Sequence, residues 1–161
     1  MKRLVHPALW KTALAVLLAD QVSKYLVLHV LNLPRAGVID VWRPFLTFRM
    51  AWNEGVNFGL FSSSAGLARW VLIAVALAIS LWVTIWVRRE PKNRRAQIAA
   101  GFLVGGALGN VVDRLVYGAV ADFLNMSCCG IENPYAFNVA DIAIFAGAAG
   151  LILWTDRPKT P

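Results

Sequence analysis

Charged residues and cysteines are both scarce in this chain of 161 residues. Charged residues make up 16% of the sequence against 58% hydrophobic residues, which excludes an ordinary water-soluble domain and indicates an integral membrane protein. The two cysteines, Cys128 and Cys129, are adjacent, so they exclude a disulfide framework. We expect both to be free thiols, and a bond between them or to another chain is the alternative.

Basic residues are concentrated at one place in the chain. The net charge is +7, and five of the sixteen lysines and arginines lie in the connector 88–95. Such clustering is typical of a cytoplasmic loop, because basic residues stay on the inner side of the membrane. We therefore expect these groups to meet the headgroups of membrane lipids, and we expect no nucleic-acid partner.

Apolar runs long enough to cross about 30 Å of hydrocarbon divide the chain into membrane spans. They predict a single all-α polytopic membrane domain, residues 1–161, with four transmembrane helices and both termini cytoplasmic. The first run follows Lys2 and Arg3, but it is too long for a removable leader, so we expect it to be retained. Alternating residues at 45–52 indicate short strands outside the membrane. The spans are predicted at 9–30, 67–87, 96–116 and 137–154, the extracytoplasmic loops at 32–65 and 117–136, and the cytoplasmic loop at 88–95.

The third run combines a glycine face with polar residues near its outer end. The glycines leave one helix face without side chains, so a neighbouring helix can come close. Polar groups at membrane depth are costly and by default mark a functional site. We expect Asn110, Asp113 and Arg114 to share a face, with Asp113 in a local charge arrangement beside Arg114. The glycines recur every fourth residue, at Gly101, Gly105 and Gly109.

Two acids are expected at similar depth on adjacent antiparallel helices. Asp122 follows the start of the third run by twenty-six residues, and Asp141 lies thirteen residues before Trp154, or roughly 20 Å along a helix. Two carboxyls that approach in a partly desolvated place share one proton. One can then deprotonate a water while the other polarises a carbonyl, which suits peptide hydrolysis without a metal, a nucleophilic serine or a cofactor.

Three further polar residues, Asp20, Lys24 and Asn53, lie outside the third and fourth runs. Asp20 and Lys24 are four residues apart in the first run, so we predict a helical ion pair, with structural support favoured over a role lining a site. Asn53 precedes two glycines in a polar turn. It is either an ordinary turn residue or the donor of a carboxamide to a peptide backbone, and the sequence leaves both open.

Other readings of the acids remain open. A proton- or cation-coupled carrier uses acids at membrane depth, but the second span has none and the first offers only Asp20. A divalent metal held by Asp113, Asp122 and Asp141 is disfavoured, because Arg114 opposes a cation and His6 and His29 are distant in sequence. A non-catalytic scaffold is the third alternative.

The chain resembles lipoprotein signal peptidase, the type II signal peptidase of bacteria (aspartyl protease family A8), over nearly its whole length. No single motif carries the resemblance, which rests on five of them in order on four spans. They are Asp20 to Lys24, Asn53 with Gly55, Phe58 and Gly59, the block Gly105 to Arg114, Gly118 with Val120, Asp122 and Phe123, and Phe137-Asn138 with Ala140-Asp141.

The resemblance implies a membrane aspartyl protease of the bacterial inner membrane, with its active site near the outer face. It would remove signal peptides from prolipoproteins by cleaving before a diacylglyceryl-modified cysteine. It implies no cofactor and no metal, inhibition by globomycin-type peptides, and a chain that acts as a monomer. By the motif match, Asp122 and Asp141 are catalytic, while substrate binding falls to Asn53, Gly55, Asn110, Arg114 and Asn138, and structural support to Asp20, Lys24 and Asp113.

The family pattern also covers two segments outside the motifs, and this chain departs from it at one residue. The family implies a small extracytoplasmic β-cradle, here residues 38–61, and a mobile segment over the site, here residues 124–136. Asn57 stands where the family more often has a small residue before the aromatic, so the shape of this loop departs from the pattern.

Overall fold

A computed structural model describes residues 7–55, 65–89, 91–130 and 133–155. Most of these residues are helical, and a small antiparallel sheet packs at one end of the helices. The predicted class, a mainly helical membrane protein with a few strands, is therefore confirmed. In chain order the elements are α1 (Pro7–Tyr25) with its π-helical extension (Leu26–Val30), α2 (Leu33–Ala36), β1 (Val38–Trp42), β2 (Leu46–Asn53), α3 (Ala65–Val87), α4 (Arg94–Tyr117), β3 (Val120–Met126) and α5 (Val139–Trp154).

Three of the described helices are long and apolar enough to cross a membrane: Pro7–Val30, Gly66–Val87 and Arg94–Tyr117. The fourth predicted span contains α5, which is apolar but has only 16 residues. At 1.5 Å per residue it is about 24 Å long, shorter than the roughly 30 Å of hydrocarbon.

Helix α4 lies at the centre of the bundle, because its small residues admit a helix on each side. A Cβ on Gly105 would lie 2.5 Å from the Ala13 carbonyl oxygen, and a Cβ on Gly101 would lie 2.6 Å from that of Leu9. The glycine face predicted from sequence therefore packs against α1. On another side, a Cβ on Gly147 of α5 would lie 2.5 Å from the Leu103 nitrogen. Both neighbours approach α4 at backbone distance, as small residues allow in membranes.

We expect Gly105→Val to lower the stability of the protein by more than the 1–3 kcal/mol typical of overpacking. The new side chain would meet backbone atoms of Ala13, which cannot rotate away. Gly66→Val is the matched control, since a Cβ there meets nothing within 4 Å. Thermal unfolding in detergent should show a large fall in the midpoint for the first variant and little change for the second. Equal midpoints would contradict this packing.

The sheet has the order β1-β2-β3 with antiparallel neighbours. Phe123 of β3 is buried with Val27 and Leu33, which fixes the sheet to the C-terminal end of α1. Strands β1 and β2 lie within the predicted cradle 38–61. Residues 56–61, and with them Asn57, Phe58 and Gly59, lie outside the described residues.

Strand β3 corrects the sequence prediction for Asp122. We expected both acids on the last two membrane helices, but Asp122 lies on β3, where it pairs with Ala51 of β2. The cause is Gly118, whose φ of +85° ends α4 in a left-handed cap and turns the chain into the sheet. The segment predicted to be mobile, 124–136, begins in the same strand, and Leu124 forms a β-bridge with Phe137. Residues 131–132 of that segment lie outside the described residues.

The two cysteines are bonded to each other. The prediction of free thiols is therefore wrong, and the alternative of a bridge between neighbours applies. The backbone of Cys129 has a φ of +60°, which turns the chain so that the two sulfurs meet.

Candidate active site

Asp122 and Asp141 are joined through a single residue, Asn138. The Nδ2 of Asn138 donates to Oδ1 of Asp122 at 2.6 Å, and its backbone N donates to Oδ2 of Asp141 at 3.2 Å. Asp122 is buried on β3, whereas Asp141 is half-buried in the first turn of α5. The sheet and the helix thus bring the two carboxyls to one place.

The sequence at the start of α5 explains the position of Asp141. Asn138 is the N-cap, and its side chain accepts from the Asp141 backbone N at 2.9 Å while the Asp141 carboxyl accepts from the Asn138 backbone N. This reciprocal pattern is a capping box, which satisfies two amides that the helix leaves without partners. The carboxylate of Asp141 therefore sits at the positive end of the helix dipole.

Two further carboxamides complete the hydrogen bonding of the acids. The Nδ2 of Asn53 donates to Oδ2 of Asp122 at 3.1 Å, and the Nδ2 of Asn110 donates to Oδ1 of Asp141 at 3.0 Å. The Oδ1 of Asn53 also accepts from the Gly55 backbone N at 3.0 Å. The turn predicted at Asn53 is confirmed, and its carboxamide also reaches Asp122, whereas its contact with a peptide backbone stays a prediction. Gly55 has a φ of +98°, and a Cβ there would collide with Leu72.

Burial raises the pKa of Asp122 from its ordinary value of 3.8 to about 6, and the negative charge of Asp141 adds to the rise. Hydrogen bonds from Asn53 and Asn138 oppose it. Asp122 therefore keeps its proton to higher pH than an ordinary aspartate does. A pair with one protonated and one ionised carboxyl can supply a general acid and a general base together.

This pKa predicts a pH dependence of stability. The folded protein holds the Asp122 proton between about pH 4 and pH 6, where the unfolded chain has released it. The stabilisation is present at low pH and lost as the pH rises through about 6. Asp40, whose pKa is lowered by its hydrogen bond from Arg43, contributes the opposite slope. The difference in unfolding midpoint between the wild type and Asp122→Asn should therefore shift steadily from pH 4 to 6; a constant difference would contradict the raised pKa.

A buried ion network lies beside the two acids. Nζ of Lys24 is 2.8 Å from Oδ2 of Asp20 and 2.7 Å from Oδ2 of Asp113, and all three side chains are at most 3% exposed. The predicted ion pair of Asp20 and Lys24 is confirmed. The charge arrangement predicted for Asp113 and Arg114 is found, since the two charges interact, but the ion-pair partner of Asp113 is Lys24 on α1. Nζ of Lys24 also donates to Oδ1 of Asn110 at 3.5 Å.

The network holds the backbone next to each acid. Oδ1 of Asp20 accepts from the backbone N of Ala140 at 3.0 Å, and Oδ2 of Asp113 accepts from that of Ala121 at 3.1 Å. Ala140 and Ala121 directly precede Asp141 and Asp122. The network can therefore set the position of both carboxyls without touching either.

Gln21 belongs to this network and was missed in the sequence. Its Nε2 donates to Oδ2 of Asp20 at 3.1 Å and to Oδ1 of Asp113 at 3.0 Å. The available signal was its place beside Asp20, one turn before Lys24. A lone glutamine gives no reason to expect a contact with a helix almost ninety residues away.

Known proteins match this chain over most of its length. The family model described as signal peptidase (SPase) II matches residues 12–156. The chain belongs to the signal peptidase II family. It is 46% identical over 147 residues to the lipoprotein signal peptidase of Methylorubrum extorquens (strain PA1), covering 90% of this chain and 83% of that protein. It is 41% identical over 144 residues to that of Methylobacterium sp. (strain 4-46), covering 89% and 86%.

Solved structures support the fold of this signal peptidase II family member. One, described as a bacterial membrane enzyme, superposes with a TM-score of 0.75 at 26% identity over 92% of this chain and 94% of that one. A second, with the same description, has a TM-score of 0.69 at 24% identity and supports the fold alone.

An apolar groove between α3, α4 and α5 reaches Asn110, whose carboxamide donates to Asp141. It has a volume of about 400 Å³, and Asn110 and Arg114 are its polar lining. Nη1 of Arg114 donates to the Asn110 carbonyl at 3.2 Å, while its Nε has no hydrogen-bond partner within the described part of the chain. In this family member the Nε of Arg114 is therefore a buried donor beside the groove.

Within the described residues no group of three or more histidines, cysteines and acids is arranged to hold a metal ion. His29 packs against the ring of Tyr25, and His6 lies outside the described residues.

Proposed function

We propose that this chain is a membrane aspartic endopeptidase that removes signal peptides from prolipoproteins. It cleaves the bond before a diacylglyceryl-modified cysteine with Asp122, Asp141 and one water. The observation that carries the proposal is the coupling of the two acids through Asn138. The names of the related proteins, lipoprotein signal peptidases, support the substrate class.

In this mechanism Asp141 is the base and Asp122 holds the shared proton. The Asp141 carboxylate takes a proton from the water, whose oxygen bonds to the scissile carbonyl carbon, and Asp122 gives its proton to the carbonyl oxygen. The tetrahedral intermediate then collapses: Asp141 protonates the leaving nitrogen as the C–N bond breaks, and Asp122 recovers its proton. The raised pKa of Asp122 and the helix N-terminus at Asp141 favour these roles.

The substrate would enter along the groove between α3, α4 and α5. Its apolar walls suit acyl chains that remain in the bilayer, and Arg114 and Asn110 can bind backbone carbonyls where the groove meets the acids. Asn53, Gly55 and Asn138 would contact the chain on the sheet side. Globomycin-type peptides would bind in the same place.

We further propose four spans, with α5 as the last, and both termini in the cytoplasm. The basic connector 88–95 would then be cytoplasmic, and the sheet with the two acids would lie near the outer face of the bacterial inner membrane. The protein would act as a monomer. Lys2, Arg3, Arg157 and Lys159, which support this orientation by their charge, lie outside the described residues.

The test is the processing of one precursor in two forms by the purified protein in detergent. Gel shift and mass spectrometry should show cleavage before the cysteine of the diacylglyceryl-modified form and little or none of the unmodified form. Equal cleavage of both forms would contradict the proposal that the protein requires the diacylglyceryl group on its substrate. Ion flux in liposomes without any cleavage would instead support a carrier.

A further inference from the structure

A second apolar groove lies on the opposite side of α4, between α1 and α5. Its volume is about 540 Å³. The two helices meet at one end, where Asp20 accepts from the Ala140 backbone N. Below that contact, short side chains on both helices leave the groove open, with the Phe102 ring of α4 at its floor. Its small wall residues include Ala15 and Ala19 of α1 with Ala143 and Ala146 of α5.

The lining of this groove is apolar except at one end, which carries Lys11 and Thr12. Lys11 is exposed and makes no ion pair within the described part of the chain. This is the same end of the bundle that carries the basic connector, since Leu9 packs on Gly101, two turns from Arg94. A lysine near a helix end extends its ammonium to the headgroup layer while its stem covers apolar surface.

The length of the groove indicates which kind of molecule it can bind. From Lys11 to Ala19 it follows α1 for eight residues, or about 12 Å. A partner helix would need a face along the whole of about 30 Å of hydrocarbon, whereas one leaflet accounts for about half of that. A single acyl chain with its headgroup at Lys11 fits both the length and the charge.

We propose that the groove between α1 and α5 binds an anionic phospholipid of the leaflet that faces the basic connector. One acyl chain lies along the alanines, and the headgroup phosphate pairs with the Lys11 ammonium. This site is separate from the groove between α3, α4 and α5. The lipid would support the packing of α5, whose first turn carries Asp141.

The test is native mass spectrometry of the full chain in detergent, titrated with phosphatidylglycerol or phosphatidylcholine. For the wild type we expect about fivefold tighter binding of phosphatidylglycerol, since one lysine at an anionic surface contributes roughly 1 kcal/mol. Lys11→Gln should remove this preference. Lys92→Gln, which removes the same charge from an exposed site in the connector, should keep it.

A second variant tests the groove itself. Ala15→Leu with Ala146→Leu, at two exposed wall residues, should weaken binding of both lipids several-fold while cleavage of a precursor in detergent continues. Equal binding of the two lipids by the wild type, or a preference that survives Lys11→Gln, would overturn the proposal. A dimer that the alanine variants abolish would assign the groove to a second copy of the chain. Because the readout is lipid binding, its failure leaves the proposed protease function standing.

Discussion

Asp122→Asn and Asp141→Asn should each abolish precursor processing while the protein still inserts in the membrane and accumulates. An asparagine can neither take a proton from water nor return one, so each variant loses one of the two proton transfers. General acid–base catalysis contributes about 10²–10⁴-fold to a rate. We expect initial rates in detergent to fall by at least that factor.

Two comparisons sharpen this prediction. Because the acids act as a unit, the double variant should be no slower than either single variant, as is usual for groups that share one step. Asp40→Asn is the matched control, since Asp40 lies on β1 and pairs with Arg43, and it should keep the wild-type rate. A single Asp→Asn variant with near-normal turnover would exclude that acid from the chemistry.

Lys24→Met should lower the free energy of unfolding by about 3–5 kcal/mol, the cost of removing one partner of a buried ion pair. The substitution leaves Asp20 and Asp113 buried without a cation. It should also slow cleavage, because these acids hold the backbone before Asp141 and Asp122. Thermal unfolding in detergent measures the first effect and initial rates the second.

A charge-neutral network provides the control for this prediction. In Asp20→Asn with Lys24→Met and Asp113→Asn, the asparagine oxygens can still accept from Ala140 and Ala121, and no charge is left unpaired. This variant should recover most of the stability that Lys24→Met loses. Lys92→Met, at an exposed lysine, should change little. If Lys24→Met and Lys92→Met unfold at the same temperature, the network does not support the fold as described.

The helices could be predicted from the sequence because the signal repeats over many residues. The runs at 67–87 and 96–116 correspond to helices Ala65–Val87 and Arg94–Tyr117. The glycine face of the third run also indicated a close neighbour, although the sequence could not say that the neighbour was α1. The ion pair of Asp20 and Lys24 was predictable because its spacing is local.

The contacts between distant segments could not be predicted from local pattern. Strand β3 has no clean alternation, because most of its residues are buried, so Asp122 was expected at a helix end. Asp113 was paired with its neighbour Arg114, whereas the structure pairs it with Lys24, almost ninety residues earlier. Gln21 was missed for the same reason. In each case the deciding contact joins elements far apart in sequence.

The most direct test of the account is one gel-shift experiment with purified protein, a diacylglyceryl-modified precursor, detergent and an excess of chelator. It compares the wild type with Asp122→Asn and Asp141→Asn in the absence of any membrane gradient. We expect the wild type to release the signal peptide and neither variant to do so. Release by either variant at the wild-type rate, or a wild type that works only when a metal is restored, would contradict it.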